Sequence, residues 1–473
     1  MRDLLKRYEL TRRDFLKRSA AWLAAPVALR LPIINAAGPK SILIENGLLI
    51  DGTGKQPLEK AFVLIEDGRF KSISARRLKP PAGATIIDAS GKTILPGLID
   101  MHAHLLSGGF DTITEKSMSY DPTEQLRALR QSIYWGVTGI YSPVQPLEQG
   151  VQMRAQTSAG DSPFPRLFIS GPGFTAPGGW AGSNDPSARY EPESAQEIKQ
   201  QVARLRAARV DILKVFYDDM SHAFVSPLPK LDKRLLQAVI AEAHAQKLKV
   251  MVHAYETANH KESIRAGADI MAHSAVTDPI DDEYIELARK NRTLYLATLS
   301  VYHDVFDKEA IRNFIKNDYV KKTVPQKTLI TLSERGALDE FEKTIRSDYF
   351  KKQLPLIMSN LKRVSDAGVA VAVGPDTGVP GAFPGIAVHR EMELMVQAGV
   401  PPAKVLAGAT RVAADYLGQS SLGAIEAGKI ADVVIVNGNP LKEITGTRDI
   451  DTVIKEGNII DRQRLLAEVM GTT

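Results

Sequence analysis

Apolar residues follow two rhythms along this chain. Near its two ends, "SILIENGLLIDGTG", "AFVLIEDGRFKSIS" and "ATIIDASGKTIL", and later "GKIADVVIVNG" and "IDTVIKEGNII", alternate or cluster β-branched residues between Asn-Gly, Asp-Gly and Glu-Gly pairs. Short strands joined by tight turns have this pattern. Both ends are expected to build one small β-domain, its first part over 40–93 and its second over 420–473. Between them, strand-like runs near 94–101, 137–142, 166–171, 210–217, 248–254, 269–273, 293–299 and 369–375 alternate with helical stretches. "DPTE" offers Asp121 as a helix cap, Pro122 at the first helical position and Glu124 to close a capping box, and "SAQE" repeats the logic from Ser194. The tally predicts an α/β fold: a (β/α)8 TIM barrel over 94–419 with a small discontinuous β-sandwich domain built from both chain ends. A charged helical insertion within 300–360 reads as a lid, a homo-oligomer contact or a solvated excursion.

Composition changes this picture only at the N-terminus. The chain has 473 residues, 44% hydrophobic and 24% charged, as in ordinary globular proteins. Its formal charge of +5 is carried by residues 1–37, where eight basic residues meet three acidic ones, leaving 52 of each sign in the body. A neutral body gives no argument for a nucleic-acid partner. The segment "TRRDFLKRS", with Arg12 and Arg13 adjacent and the apolar "AAWLAAPVAL" behind it, resembles a twin-arginine export signal over 1–37, with cleavage near Ala36 or Ala37. That resemblance implies transport by the twin-arginine machinery and a periplasmic or extracellular location. The bland alternative is an amphipathic N-terminal helix. The apolar run falls short of the ~20 residues of a membrane-spanning helix, so no stable membrane anchor is expected.

The chemistry begins at "ILPGLIDMHAHL", where two of the nine histidines, His102 and His104, stand two residues apart. Residues two apart on a strand point the same way and could grip one ion. With no cysteine in the chain there are no thiolate ligands, and a metal would need imidazole, carboxylate or something less usual. Two ordinary loop histidines remain the competing reading. A barrel keeps its chemistry at the C-terminal strand ends, and the other predicted strands supply Lys214, His253, His273 and Asp376 there. Lys214 shares its face with Val210, Ile212 and Phe216, where a bare ammonium carries a desolvation penalty of several kcal/mol. It reaches a carboxylate or is not an ammonium.

The order His-x-His, Lys, His, His, Asp, together with "LPGLIDMHAHL", "AGADIMAHS", "DAGVAVAVGPDTG" and "LGAIEAGKIADVVIVNGNPL", resembles the amidohydrolase superfamily of metal-dependent hydrolases. The likeness is nearest to its binuclear prolidase-like, imidazolonepropionase-related branch. It implies that His102, His104 and Asp376 bind one divalent metal and His253 and His273 a second. It implies further that Lys214 is carboxylated by CO2 and bridges them as a carbamate. Zinc suits this ligand set, with manganese, cobalt or iron as alternatives. The implied reaction is attack on a C–N bond by a metal-bridging hydroxide, with Asp376 as proton shuttle, in an amide, a dipeptide or N-acyl amino acid, or a cyclic amide.

Substrate contacts are position-based: Trp180 in "SGPGFTAPGGWAGSND", where the prolidase-like enzymes carry a histidine, and Tyr217 and Tyr255 beyond two strands. The partner is thus a small molecule. "HAYE" also gives His253 and Glu256 the spacing of the mononuclear heterocycle deaminases of the same superfamily. A Glu at the start of a helix is favoured in any case. Lactonase or phosphotriesterase-like chemistry and a non-catalytic binding protein complete the alternatives.

Overall fold

The computed structural model describes residues 41–105, 122–158, 162–183 and 185–471. The twin-arginine leader and Asp121 lie outside them. Strands β1 (Ser41–Leu49), β2 (Leu58–Glu66), β3 (Arg69–Ser74), β4 (Thr85–Asp88) and β5 (Lys92–Pro96) come first. There follow β6 (Leu98–Asp100), β7 (Val137–Ser142), β8 (Arg166–Ile169), β9 (Gly173–Phe174), β10 (Arg189–Tyr190), β11 (Ile212–Phe216), β12 (Lys249–His253), β13 (Ile270–Ala272), β14 (Leu294–Leu296) and β15 (Val371–Ala372). The last are β16 (Val433–Asn437), β17 (Ile450–Lys455) and β18 (Asn458–Ile459).

Strands from both ends share one eight-stranded sheet, ordered β18-β17-β16-β5-β1-β2-β3 with β4 also paired to β1. Its core is the alternating apolar set that the sequence displays: Ile42, Ile44, Val63, Ile65, Ile94, Val433, Ile435 and Ile454. The middle of the chain folds as a mixed α/β unit. A seven-stranded parallel sheet runs β10-β9-β11-β12-β13-β14-β15, and a three-stranded parallel sheet runs β6-β7-β8. Ile99, Tyr141, Phe168, Ile212, Met251, Ile270, Leu294 and Ala372, one from each of eight strands, pack together as one apolar cluster. The floor beneath the strand ends is therefore dry, so any polar group rising from it needs a partner.

Both helices signalled by the capping motifs form. Pro122 opens the helix Pro122–Tyr134 with Glu124 in its first turn, and Ser194 caps Ala195–Ala207 by accepting from Glu197 N at 3.3 Å. The insertion is more than a solvated excursion, because Ile311, Phe314, Val320, Leu332 and Phe350 are buried. Its chain also pairs with the segment after β11: Phe224 and Ile345 form an antiparallel bridge, and Arg346 N donates to Ala223 O at 2.9 Å. No helix among the described residues is long and apolar enough to cross a membrane.

Candidate metal centre

β6 ends at Asp100, and the next residues are bonded to the chain beyond β15. Ala103 and Thr377 form a parallel bridge, His104 N donates to Thr377 O at 2.6 Å, and Thr377 N donates to His102 O at 3.1 Å. Asp100 closes the junction from below: its Oδ1 accepts from His102 N at 2.9 Å and its Oδ2 from Thr377 Oγ1 at 3.0 Å. Burial pushes the Asp100 carboxyl up to about 8, against these two donors. The segments approach so closely that a Cβ on Gly378, whose φ is +110°, would sit 2.1 Å from His104 O. Only glycine fits there.

This junction sets Asp376 Oδ1 3.0 Å from His104 Nε2 and 3.3 Å from His102 Nε2. One ligand atom from each of the three residues lies within 4.8 Å of the others. Oδ1 and the Nδ1 atoms of both histidines are buried without a hydrogen-bond partner, an expensive arrangement for polar atoms left to themselves. A divalent cation with bonds of ~2.1 Å at tetrahedral or octahedral angles separates its ligand atoms by about 2.9–3.4 Å. The spacings of 3.0 and 3.3 Å fit that shell.

Lys214, on β11, is fully buried. Its Nζ lies 3.4 Å from His102 Nε2, 3.7 Å from Met251 Sδ and 5.3 Å from the Phe216 ring centre. Burial brings the ammonium down to about 7, although Asp376 works in the other direction. The neutral amine is therefore well populated near neutral pH. Burial likewise drives His102, His253 and His273 well below the usual imidazole range, with Lys214 adding to the effect. Neutral imidazole is the form that binds a cation. Burial acts to raise Asp376, but the neighbouring His102 and His104 outweigh it and hold the carboxyl well below its ordinary range.

His253 ends β12 and His273 follows β13. Their rings meet edge to face at 4.4 Å, and His273 also lies 5.1 Å from the His102 ring. His253 Nε2 is 3.2 Å from Met220 Sδ, and His273 Nδ1 is 3.0 Å from Thr298 Oγ1. His273, Thr298 and Asp376 all have left-handed backbones, with φ of 76°, 49° and 61°. Such residues cost of order 1–3 kcal/mol each and persist only where their surroundings fix them. The turn at His273 is what aims its ring: Ala272 faces the apolar cluster, and an unbroken strand would send the next side chain the opposite way.

The structure thus brings His102, His104, Lys214, His253, His273 and Asp376 together. It separates the expected substrate contacts. Tyr255 packs against both His253 and His273, at 4.9 and 5.3 Å. Trp180 meets Phe224 edge-on at 5.1 Å, in a loop whose Gly182 lies against His104. Tyr217 is turned elsewhere: its hydroxyl donates to Glu262 Oε2 at 2.7 Å and Lys230 covers its ring. Glu256 caps the helix Thr257–Ala266 by position, without a side-chain cap bond, and its Oε1 lies 3.1 Å from His222 Nε2. His222 in turn stacks on Tyr349 of the insertion at 5.2 Å.

Several supporting residues escape a sequence reading. Asp218 accepts from Met220 N at 2.8 Å and Tyr255 N at 2.6 Å, fixing two segments beside the histidines. Asp100 stands inside the quoted histidine motif, and an acid at the end of an apolar run was its signal. Thr298 and Glu391 carry none.

Residues 93–460 match the amidohydrolase family. The chain therefore belongs to the amidohydrolase family. An enamidase from Eubacterium barkeri is 35% identical over 109 residues, 23% of this chain and 26% of that protein. A dihydroorotase from Caldanaerobacter subterraneus subsp. tengcongensis is 46% identical over 70 residues, 15% of each. The chain thus matches only about a quarter or less of the length of these curated relatives. Among solved structures, a Xaa-Pro dipeptidase with bound methionine superposes with a TM-score of 0.70 at 24% identity, over 89% of this chain and 99% of that one. Molinate hydrolase superposes with a TM-score of 0.69 at 21% identity, over 90% and 95%. These two likenesses are of fold.

Proposed function

We propose that this protein is an exported, binuclear metal-dependent hydrolase that cleaves an amide, a dipeptide or N-acyl amino acid, or a cyclic amide. The observation that carries the reading is the convergence of Asp376 on His102 and His104, with a buried Lys214 amine 3.4 Å from His102 Nε2. His102, His104 and Asp376 would hold one divalent cation, and His253 and His273 the other, with zinc favoured by the nitrogen and oxygen donors. Lys214 would bridge as a carbamate: its neutral amine forms a bond to the carbon of CO2 and releases one proton. The anion so formed is a better neighbour for two cations than an ammonium. Bound divalent cations would lower the pKa of water toward ~7 and polarise the scissile carbonyl.

Asp376 would take the proton from the attacking water and return it to the departing amine nitrogen. His102, His253 and His273, which burial keeps neutral, hold rather than titrate, and the segment after β11 is tied to the insertion by the Phe224–Ile345 bridge. We read the two parallel sheets as one closed (β/α)8 barrel. Support comes from Met101 N donating to Val373 O at 3.0 Å, between the chain after β6 and that after β15, and from Asp211 N donating to Ile169 O at 2.8 Å. Similarity to an enamidase and a dihydroorotase supports C–N cleavage.

The deciding experiment is metal content per chain, by elemental mass spectrometry, in the mature protein and in Lys214→Ala, followed by turnover on N-acyl amino acids and dipeptides. Two metals per chain, falling sharply in the variant, support the bridged site. One metal, unchanged by the loss of Lys214, sinks it and moves Glu256 and heterocycle deamination forward. Export is tested by cell fractionation: the doubly substituted R12K/R13K chain should stay in the cytoplasm, and equal export of both chains would remove the twin-arginine reading.

A further inference from the structure

The turn that follows β14 touches both halves of the proposed centre. Thr298 Oγ1 meets His273 Nδ1 at 3.0 Å. Two residues on, Ser300 Oγ donates to Pro375 O at 2.9 Å, and Pro375 immediately precedes Asp376. Ala297 O accepts from Ser274 Oγ at 2.9 Å, so the turn also holds the residue after His273. Three bonds thus tie one short segment to the chain around a ligand of each proposed metal.

What holds the turn is a carboxylate from outside it. Glu391, in the helix Ile386–Gln397, is fully buried. Its Oε1 accepts from Leu299 N at 2.7 Å and its Oε2 from Ser300 N at 2.8 Å. A carboxylate that accepts from two successive backbone N–H groups fixes the plane of the peptide between them, and with it the directions of the side chains on either side. Thr298, a β-branched residue at a φ of 49°, needs such a constraint.

We propose that Glu391 is a positioning residue that clamps the turn 298–300 and through it sets two ligands at once, the His273 ring by way of Thr298 and the Asp376 backbone by way of Ser300. With Nδ1–H donating to Thr298, Nε2 of His273 keeps its lone pair for a cation, the usual task of an outer hydrogen bond at a metal site. The Ser300 hydroxyl bonds to the Pro375 carbonyl beside Asp376, so its share falls on the other metal. The inference rests on the binuclear reading of the site.

The test is titration of metal-stripped protein with Co(II), reading stoichiometry, affinity by chelator competition and the visible d–d spectrum. The wild type is compared with Glu391→Gln, Thr298→Val, Thr298→Ser and Ser300→Ala. An amide offers one acceptor where two N–H groups need two, so Glu391→Gln should weaken both cobalt sites by about 10–100-fold. Thr298→Val should weaken one site by a similar factor and Thr298→Ser should restore it, while Ser300→Ala weakens the other. A Glu391→Gln protein that melts earlier but binds both ions with wild-type affinity and spectrum would reduce Glu391 to a structural role and overturn the inference. If that variant does not fold, the Thr298 and Ser300 variants decide, and wild-type cobalt binding in both overturns it. Wild-type protein that binds fewer than two ions would instead bring down the binuclear reading itself.

Discussion

His102, His104 and Asp376 form a different kind of group from His253 and His273. The first three are zipped together by the backbone: the Ala103–Thr377 bridge and the Asp100 carboxyl fix both segments. Their ligand atoms converge within 4.8 Å around an ionised carboxylate. The other two come from separate strand ends, pack ring against ring at 4.4 Å, and face a methionine sulfur and a threonine hydroxyl. One half of the site is built by hydrogen-bonded backbone, the other by side chains propped from neighbouring loops. A half-site held by several backbone bonds spreads the loss of any one of them, whereas one made of props loses more with each prop.

The sharpest way to break this contrast is at Asp376, proposed both as a ligand in the backbone-held half and as the base. Asp376→Asn should retain most of its metal and lose turnover by about 10^3-fold, the range of a lost general base. Near-wild-type kcat in steady-state assays would remove Asp376 as the shuttle. Next in size is Lys214, placed between the halves. Lys214→Ala should cost about 10^2-fold in kcat and empty the propped half first, which elemental analysis after graded dialysis against a chelator would record. Equal loss from both halves would mean that they are not built differently.

Metal removal should also destabilise. A site held at 1,000 times its Kd contributes about 4 kcal/mol by mass action. Chelated protein should therefore show a urea midpoint well below that of the loaded form, and coincident unfolding curves would argue against a resident metal.

The smallest effect lies away from both halves, at His389. Its Nε2 is 2.9 Å from Trp135 O and its Nδ1 is 3.0 Å from Thr447 Oγ1, and burial lowers it to about 4, partly opposed by the Trp135 carbonyl. Between about 4 and 6.5 the unfolded chain binds the proton that the folded histidine refuses. Stability from this group is complete above the unfolded value and is lost as the pH falls through that window. His389→Gln should flatten the pH dependence by up to about 1.4 kcal/mol per pH unit. Urea unfolding at three pH values across the window would show it, and an unchanged slope would mean that His389 is not a neutral buried group.

Much of this was legible beforehand because it depends on local periodicity. The strand runs near 137–142, 210–217 and 248–254 became β7, β11 and β12 with small changes at their ends. Alternation carried Lys214 onto the face of Ile212, and the cap signal at Ser194 needed only three residues to be read. Tyr217 shows where such reading stops. Its place beyond a strand is plain in the sequence, but its direction was decided by Glu262 and Lys230, more than ten residues away. Trp180 likewise found Phe224 rather than the histidines. Glu391 lies in an unremarkable helical stretch, and nothing near it in sequence announces that its carboxylate ends 91 and 92 residues away on Ser300 and Leu299.

The sequence by itself determined which side chains stand at the strand ends and in what order, because alternation and turn chemistry act between neighbours a few residues apart. It also determined the chemical character of the set: no thiolates, imidazoles with one acid, and a lysine on an apolar face. Only the tertiary structure decided which ligand atoms converge and what aims them. The left-handed turn at His273 reverses what simple alternation from Ile270 and Ala272 would give, and Thr298 and Asp376 hold the same kind of backbone. A residue holds that backbone only where distant groups, here Thr377 across the Ala103 bridge and Glu391 behind the turn, compensate its local cost.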